Sequence, residues 1–214
     1  MLLTANDKQS IEARVAALEK ALGLQVVTIV VGKCDTYPET VWKAFALGTS
    51  LTALAVAVGE VLRPDWVSVG AVLSAAVTIL AVGALCALAS VYVRGFARLF
   101  LRESRATLEV SQYAKAQFLE RELFATPERT AILLLVSILE RRVVVLPDTA
   151  LRAKVSATEW EGVIARVTER LRAGELANAV VAGLDAIEAL LATKGIARGS
   201  GNTFGDAPIE EEGA

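Results

Sequence analysis

Residues 44–93 read AFALGTSLTALAVAVGEVL (44–62), RPDW (63–66) and VSVGAVLSAAVTILAVGALCALASVYV (67–93). Across this stretch the only charged side chains are Glu60, Arg63 and Asp65, near the junction of the two apolar runs. About 20 apolar residues suffice to cross the hydrocarbon core as a helix. At 1.5 Å per residue the first run reaches about 28 Å and the second about 40 Å, so the second must tilt or project. The stretch is therefore expected to form a transmembrane hairpin, with spans at about 44–62 and 67–93.

Composition agrees, with 54% hydrophobic residues in 214 and a mean hydropathy of +0.50. The excess sits in the hairpin, and the remainder is long enough for one compact domain. The net charge of -2 and the scattered basic residues form no groove-sized cationic patch, which argues against nucleic-acid binding. The polar start, Met1 to Ser10, lacks the pattern of a cleaved signal peptide. Arg94, Arg98, Arg102 and Arg105 follow the second span and Lys43 precedes the first, against Arg63 alone in the turn. The positive-inside rule then puts both termini in the cytoplasm of an inner-membrane protein with two spans. The four arginines, spaced four, four and three apart, are expected along one face of a continuing helix, where they meet anionic headgroups.

With no histidine, triads and zinc sites built on imidazole are excluded. Cys34 falls in a soluble loop and Cys86 in the second span, so both are expected as free thiols. Ala55 and Gly59, and Gly70, Ser74 and Thr78, recur at four-residue spacing, which suits close helix packing in the hairpin, with or without a homo-oligomer.

Outside the hairpin the pattern gives a helix through Ile11, Val15, Leu18 and Leu22, then a strand from Leu24 to Val31 buried on both faces. After it come a helix to about Leu123, two apolar runs (Thr130 to Ile138 and Val143 to Leu146) joined as an antiparallel hairpin, and two final helices. Ser156 with Glu159 makes a capping box for the first of those helices. One strand cannot fold alone, so the first should pair with the later two. The expected fold class is α/β: a small mixed sheet flanked by helices, formed by residues 1–43 and 94–194 and interrupted by the inserted hairpin at 44–93. Residues 195–214, Gly-rich and then acidic, are expected to be disordered.

Arg129-Thr130, Ile132 to Ile138, Glu140-Arg141-Arg142-Val143, Asp148, Trp160 with Ile164, and Gly183-Leu184 with Ile187 together resemble the TPM domain. The stretch Asn202 to Ile209 is similar to a degenerate form of an Asn-rich segment of bacterial members. That resemblance implies an α/β sandwich, and either an accessory factor of membrane complexes or a divalent-metal-dependent acid phosphatase. It also implies a metal-facing carboxylate at Asp148. Calcium or magnesium would need further oxygens, from Asp35 or Glu140. An Asp after a strand equally serves as a turn residue bonding its own backbone. Glu140, Arg141 and Arg142 could bind a phosphate or a partner's carboxylate, or form a solvated hairpin tip. Trp160 reads as a core anchor. The primary expectation is a binding or assembly accessory for other membrane proteins, with the metal-dependent hydrolase as the alternative.

Overall fold

The computed structural model describes residues 2–62, 68–196 and 206–213. The chain divides into two compact units, Met1–Asp35 with Ser104–Ala214, and Thr36–Glu103.

In the first unit, helix α1 (Ala5–Leu22) is capped at Thr4, because Thr4 and Asp7 close a capping box. Gly23, in the left-handed region at φ 65°, ends it. Strand β1 (Val26–Val31) is buried along its whole length, as its run of β-branched residues requires. It pairs in parallel with β2 (Ile132–Ser137), from Val26 opposite Ile132 to Val31 opposite Ser137. Strand β3 (Arg142–Pro147) returns antiparallel to β2. As a sheet edge it alternates between buried and half-buried residues.

The second unit carries α2 (Pro38–Leu62), α3 (Val69–Tyr92) and the short α4 (Arg94–Arg98). Helix α2 begins a turn and a half before the apolar run, because Pro38 fits the first turn and Glu39 suits its positive end. The turn residues Arg63, Pro64, Asp65, Trp66 and Val67 lie outside the described residues. The arginine-bearing segment is not one continuing helix. After α4, Leu99, Phe100 and Leu101 bond back three residues instead of four, and Lys43 Nζ takes the Phe100 carbonyl at 3.0 Å, which a continuing helix would use itself.

The chain re-enters the first unit through α5 (Glu103–Glu120) and a 3-10 turn (Leu123–Ala125) that leads to β2. Beyond β3 come α6 (Thr149–Arg152), α7 (Ala157–Arg172) and α8 (Leu176–Thr193). Part of the tail departs from the expected disorder, since Ile209–Glu211 forms a strand, β4, parallel to β1, while residues 197–205 lie outside the described residues. The result is a mixed four-stranded sheet in the order β3-β2-β1-β4. Val26, Val30, Ile132, Leu134 and Val136 face α1, α7 and α8. Val27, Ile29, Val31, Leu133 and Leu135 face Val110, Ala114 and Phe118 of α5. Trp160 is buried in the first of these cores, as expected.

Among the described residues three helices are long and apolar enough to cross a membrane: α2, α3 and α8. The apolar windows of α2 and α3 are 6% buried, against 39% for α8, whose Val180, Leu184, Ile187 and Leu191 fill the core. Helices α2 and α3 pack on each other, though not through the expected positions. Ala55, Gly59, Gly70, Ser74 and Thr78 are all exposed, and a Cβ on Gly59 would meet nothing within 4 Å. Ser74 and Thr78 turn their hydroxyls onto carbonyls of their own helix. The close approach is at Gly48 and Gly83. A Cβ on Gly48 would lie 2.8 Å from Cys86 Sγ, and one on Gly83 would lie 2.4 Å from Thr49 Cγ2. Four-residue spacing alone could not pick the inward face, because both helices are apolar all round.

Gly83→Val should therefore splay the pair, at a cost of about 1–3 kcal/mol for overpacking. Spin labels on the exposed Leu51 and Leu80 should report a longer, broader distance distribution, whereas Gly59→Val should leave it unchanged.

Candidate functional site

The carboxyl ends of β1 and β2 gather the polar side chains of the first unit, as strand ends do in open α/β sheets. The hairpin tip folds onto the loop after β1, with the Ile138 and Leu139 N–H groups donating to the Val31 and Gly32 carbonyls, each at 3.0 Å. Glu140 is not a solvated tip residue. It is buried, Oε1 accepts from the Cys34 N–H at 2.8 Å, and Oε2 accepts from the Ser137 hydroxyl. Arg141 alone of the Glu-Arg-Arg run is exposed, at φ 51°, while Arg142 is half-buried opposite Ser137. Burial, with the Glu140 carboxylate beside it, pushes the Cys34 thiol up to about 12, so it is inert at neutral pH.

Asp35 accepts from Arg105 Nη2 at 2.8 Å, and Arg105 Nε lies 3.5 Å from Glu109. Arg105 was expected among the headgroup arginines. Its guanidinium is instead held by these two carboxylates.

Beside this end of the sheet lies the acidic strand β4. Tyr113 and Gln117 on α5 and Arg121 just past its end form a stripe, and Glu211 accepts from the Tyr113 hydroxyl and, at 2.7 Å, from Arg121 Nη2. Glu210, on the opposite face, accepts from the Leu2 N–H and pairs with Lys8 Nζ at 2.6 Å. Those two contacts hold Glu210 below the usual carboxylate range. At the start of the same edge, Glu19 is buried and its Oε1 accepts from Gln25 Nε2 and the Val26 N–H, each at 2.7 Å. Burial, reinforced by the Asp206 carboxylate, raises Glu19 to about 8.

Asp148 sits at the other end of the strands, since Ile132 pairs with Pro147 while Ser137 pairs with Arg142. Six residues of strand, roughly 20 Å, separate it from the tip. The register therefore keeps Asp148 apart from Asp35 and Glu140, and those two already serve Arg105, Ser137 and Cys34. Asp148 caps α6 by accepting from the Thr149 N–H at 2.6 Å, and it accepts a two-pronged bond from Arg129, 2.9 Å to Nε and 3.1 Å to Nη2. Among the described residues no group of three or more Cys, Asp or Glu is placed to hold a metal ion.

Lys8, Glu19, Tyr113, Gln117, Arg121, Glu210 and Glu211 escaped the sequence reading. The available signal was the Tyr113, Gln117, Arg121 spacing, which puts three hydrogen-bonding groups on one helical face.

Residues 97–190 match the model of the TPM domain, a region running from the end of α4 into α8 and including β2 and β3. The BA42 protein of the psychrophilic bacterium Bizionia argentinensis sp. nov., solved by NMR, is similar over 98% of this chain and 96% of its own, at 10% identity and a TM-score of 0.58. At that identity the likeness is one of fold. No curated protein matches the chain.

The raised Glu19 fixes a pH dependence. The folded chain keeps a proton that the unfolded chain releases, so Glu19's contribution to stability is complete below about pH 4.5 and is lost as pH rises to about 8. Glu19→Gln keeps an Oε1 acceptor and removes the charge. Thermal melts from pH 5 to pH 9 should show the variant gaining on the wild type as pH rises, with the difference levelling off above pH 8.

Proposed function

We propose that this chain is a membrane-anchored binding module, an accessory or assembly factor for other membrane proteins. In this reading α2 and α3 form two spans of an inner membrane and both termini lie in the cytoplasm. The observation that supports it most is that only 6% of the apolar windows of α2 and α3 is buried, while the sheet unit closes two cores of its own. An aqueous surface does not tolerate contiguous apolar area on that scale, whereas a bilayer requires it. Arg94, Arg98 and Arg102 then stand where anionic headgroups would be, and the exposed Arg141 is the cation of the hairpin tip offered to a partner.

The TPM-domain-like region also raises the hydrolase reading. Its candidate carboxylates are committed elsewhere, Asp148 to Arg129 and to the start of α6, Glu140 to Cys34 and Ser137.

Membrane integration is tested by carbonate extraction, which should leave the chain in the pellet. Cys34 is too buried to report topology, so the reporter should be Arg141→Cys, expected to stay unlabelled by an impermeant maleimide in intact cells and to react after permeabilisation. Labelling of intact cells would overturn the orientation. Cross-linked partner capture should fall severalfold in an Arg141→Glu/Arg142→Glu variant.

For the hydrolase, thermal melts with calcium, magnesium and manganese should give no shift that depends on Asp148. Asp148→Ala should cost about 1–3 kcal/mol with or without metal, from the lost cap and charge-assisted bonds.

A further inference from the structure

The outer edge of β1 takes a strand whose side chains are each met by a complementary group. Ile209 and Glu211 point to the α5 side and Glu210 to the α1 side, as strand alternation demands. Ile209 packs at the margin of the α5 core, Glu211 meets Tyr113 and Arg121, and Glu210 meets Lys8 and the Leu2 N–H. The Gly32 N–H donates to the Glu211 carbonyl at 2.9 Å. A Cβ on Gly32 would sit 2.7 Å from the Glu212 carbonyl oxygen, so the sequence leaves room there for a second backbone.

From this match we propose that the β1 edge is a docking site for an extended acidic segment, apolar-Glu-Glu in pattern, carried by a partner protein. The chain's own 206–213 segment fills the site in cis as a stand-in. This rests on the binding-module reading and gives it a contact surface separate from the hairpin tip.

Two features mark a replaceable occupant. The strand is short, pairing only with Ile29, Val30 and Val31 of a six-residue β1. Where the edge begins, the Val26 N–H is closed by Glu19, a side chain, which defines a site about three residues long. Nor does either core depend on β4, since Ile209 is only partly buried at the margin of one of them. Lys8 and Arg121 nevertheless reach past the sheet to hold two carboxylates. Strand addition with side-chain readout uses such an arrangement. A cis segment competes intramolecularly, so it holds the site against weak ligands and yields to a better one.

The test uses full-length, detergent-solubilised protein and a fluorescent peptide of residues 206–213, DAPIEEEG, read by anisotropy. A Glu210→Lys/Glu211→Lys variant, whose cis strand no longer fits, should bind the peptide at least tenfold tighter than the wild type. Adding Arg121→Glu, or separately Gly32→Val, to that background should abolish binding while the thermal melt stays cooperative. Equal binding of a scrambled peptide would reduce the site to nonspecific charge and overturn the proposal. So would failure of the tail-disabled variant to bind. A dimer that the peptide dissociates would assign the edge to a second copy's strand and overturn the partner as proposed. If the peptide fails while Arg141-dependent capture persists, the edge proposal falls alone and the binding-module reading stands.

Discussion

Parallel pairing of β1 with β2 is the constraint on which the first unit rests. Two parallel strands cannot be joined by a tight turn. The chain must leave the sheet after Val31 and return at Ile132 in the same direction. That obligatory excursion is where the second unit is inserted, with α5 completing the return. An insertion of this length costs little in closure entropy, because the cost grows only with the logarithm of loop length. The pairing also explains why β1 and β2 are apolar at nearly every position: helices cover both faces, so neither strand has a solvent side.

Placing β1 next to β2 and β3 on the far side of β2 leaves two edges of unlike character. The β3 edge alternates buried and half-buried residues. The β1 edge belongs to a strand buried on both faces, and bare it would be a flat apolar template for aggregation. The chain closes it in two ways. Glu19 takes the first N–H, and the acidic β4 covers the last three residues. Glu19 and Asp206 belong to this same closure, and burial together with the Asp206 carboxylate raises Glu19.

Much of this was legible in residue order. The apolar runs, the capping box at Ser156 and the β2-β3 hairpin follow from periodicity and turn chemistry, and the partnering of β1 with the later strands follows from the fact that one strand cannot fold alone. So does the burial of Trp160. The misses share one physical cause, which is that they depend on long-range neighbours. β4 is too short, and too rich in glutamate, to read as a strand until Lys8 and Arg121 are beside it. Glu140 reads as a solvated tip residue until the Cys34 N–H and the Ser137 hydroxyl face it. Arg105 sits in step with the membrane-end arginines, yet Asp35, distant in sequence, claims it. Asp148 was rightly placed at a strand end, but the antiparallel register then puts the full strand length between it and the tip.

Hydropathy alone does not separate α8 from α2 and α3, since all three pass a spanning threshold. Partition of side chains does. Helix α8 lays Val180, Leu184, Ile187 and Leu191 against β2, α1 and α7, and lifting it into a bilayer would strip the core of each at about 1.5–3 kcal/mol per side chain. Helices α2 and α3 have no such use for their leucines and valines. Leu51, Leu54, Val61, Val69, Val77, Leu80 and Leu85 are all exposed. In water each would forfeit a comparable burial energy with nothing to offset it, and a bilayer returns that energy on every face of the helix at once. The apolar helices the chain can bury it keeps in its own core, and the pair it leaves uncovered is the pair suited to lipid.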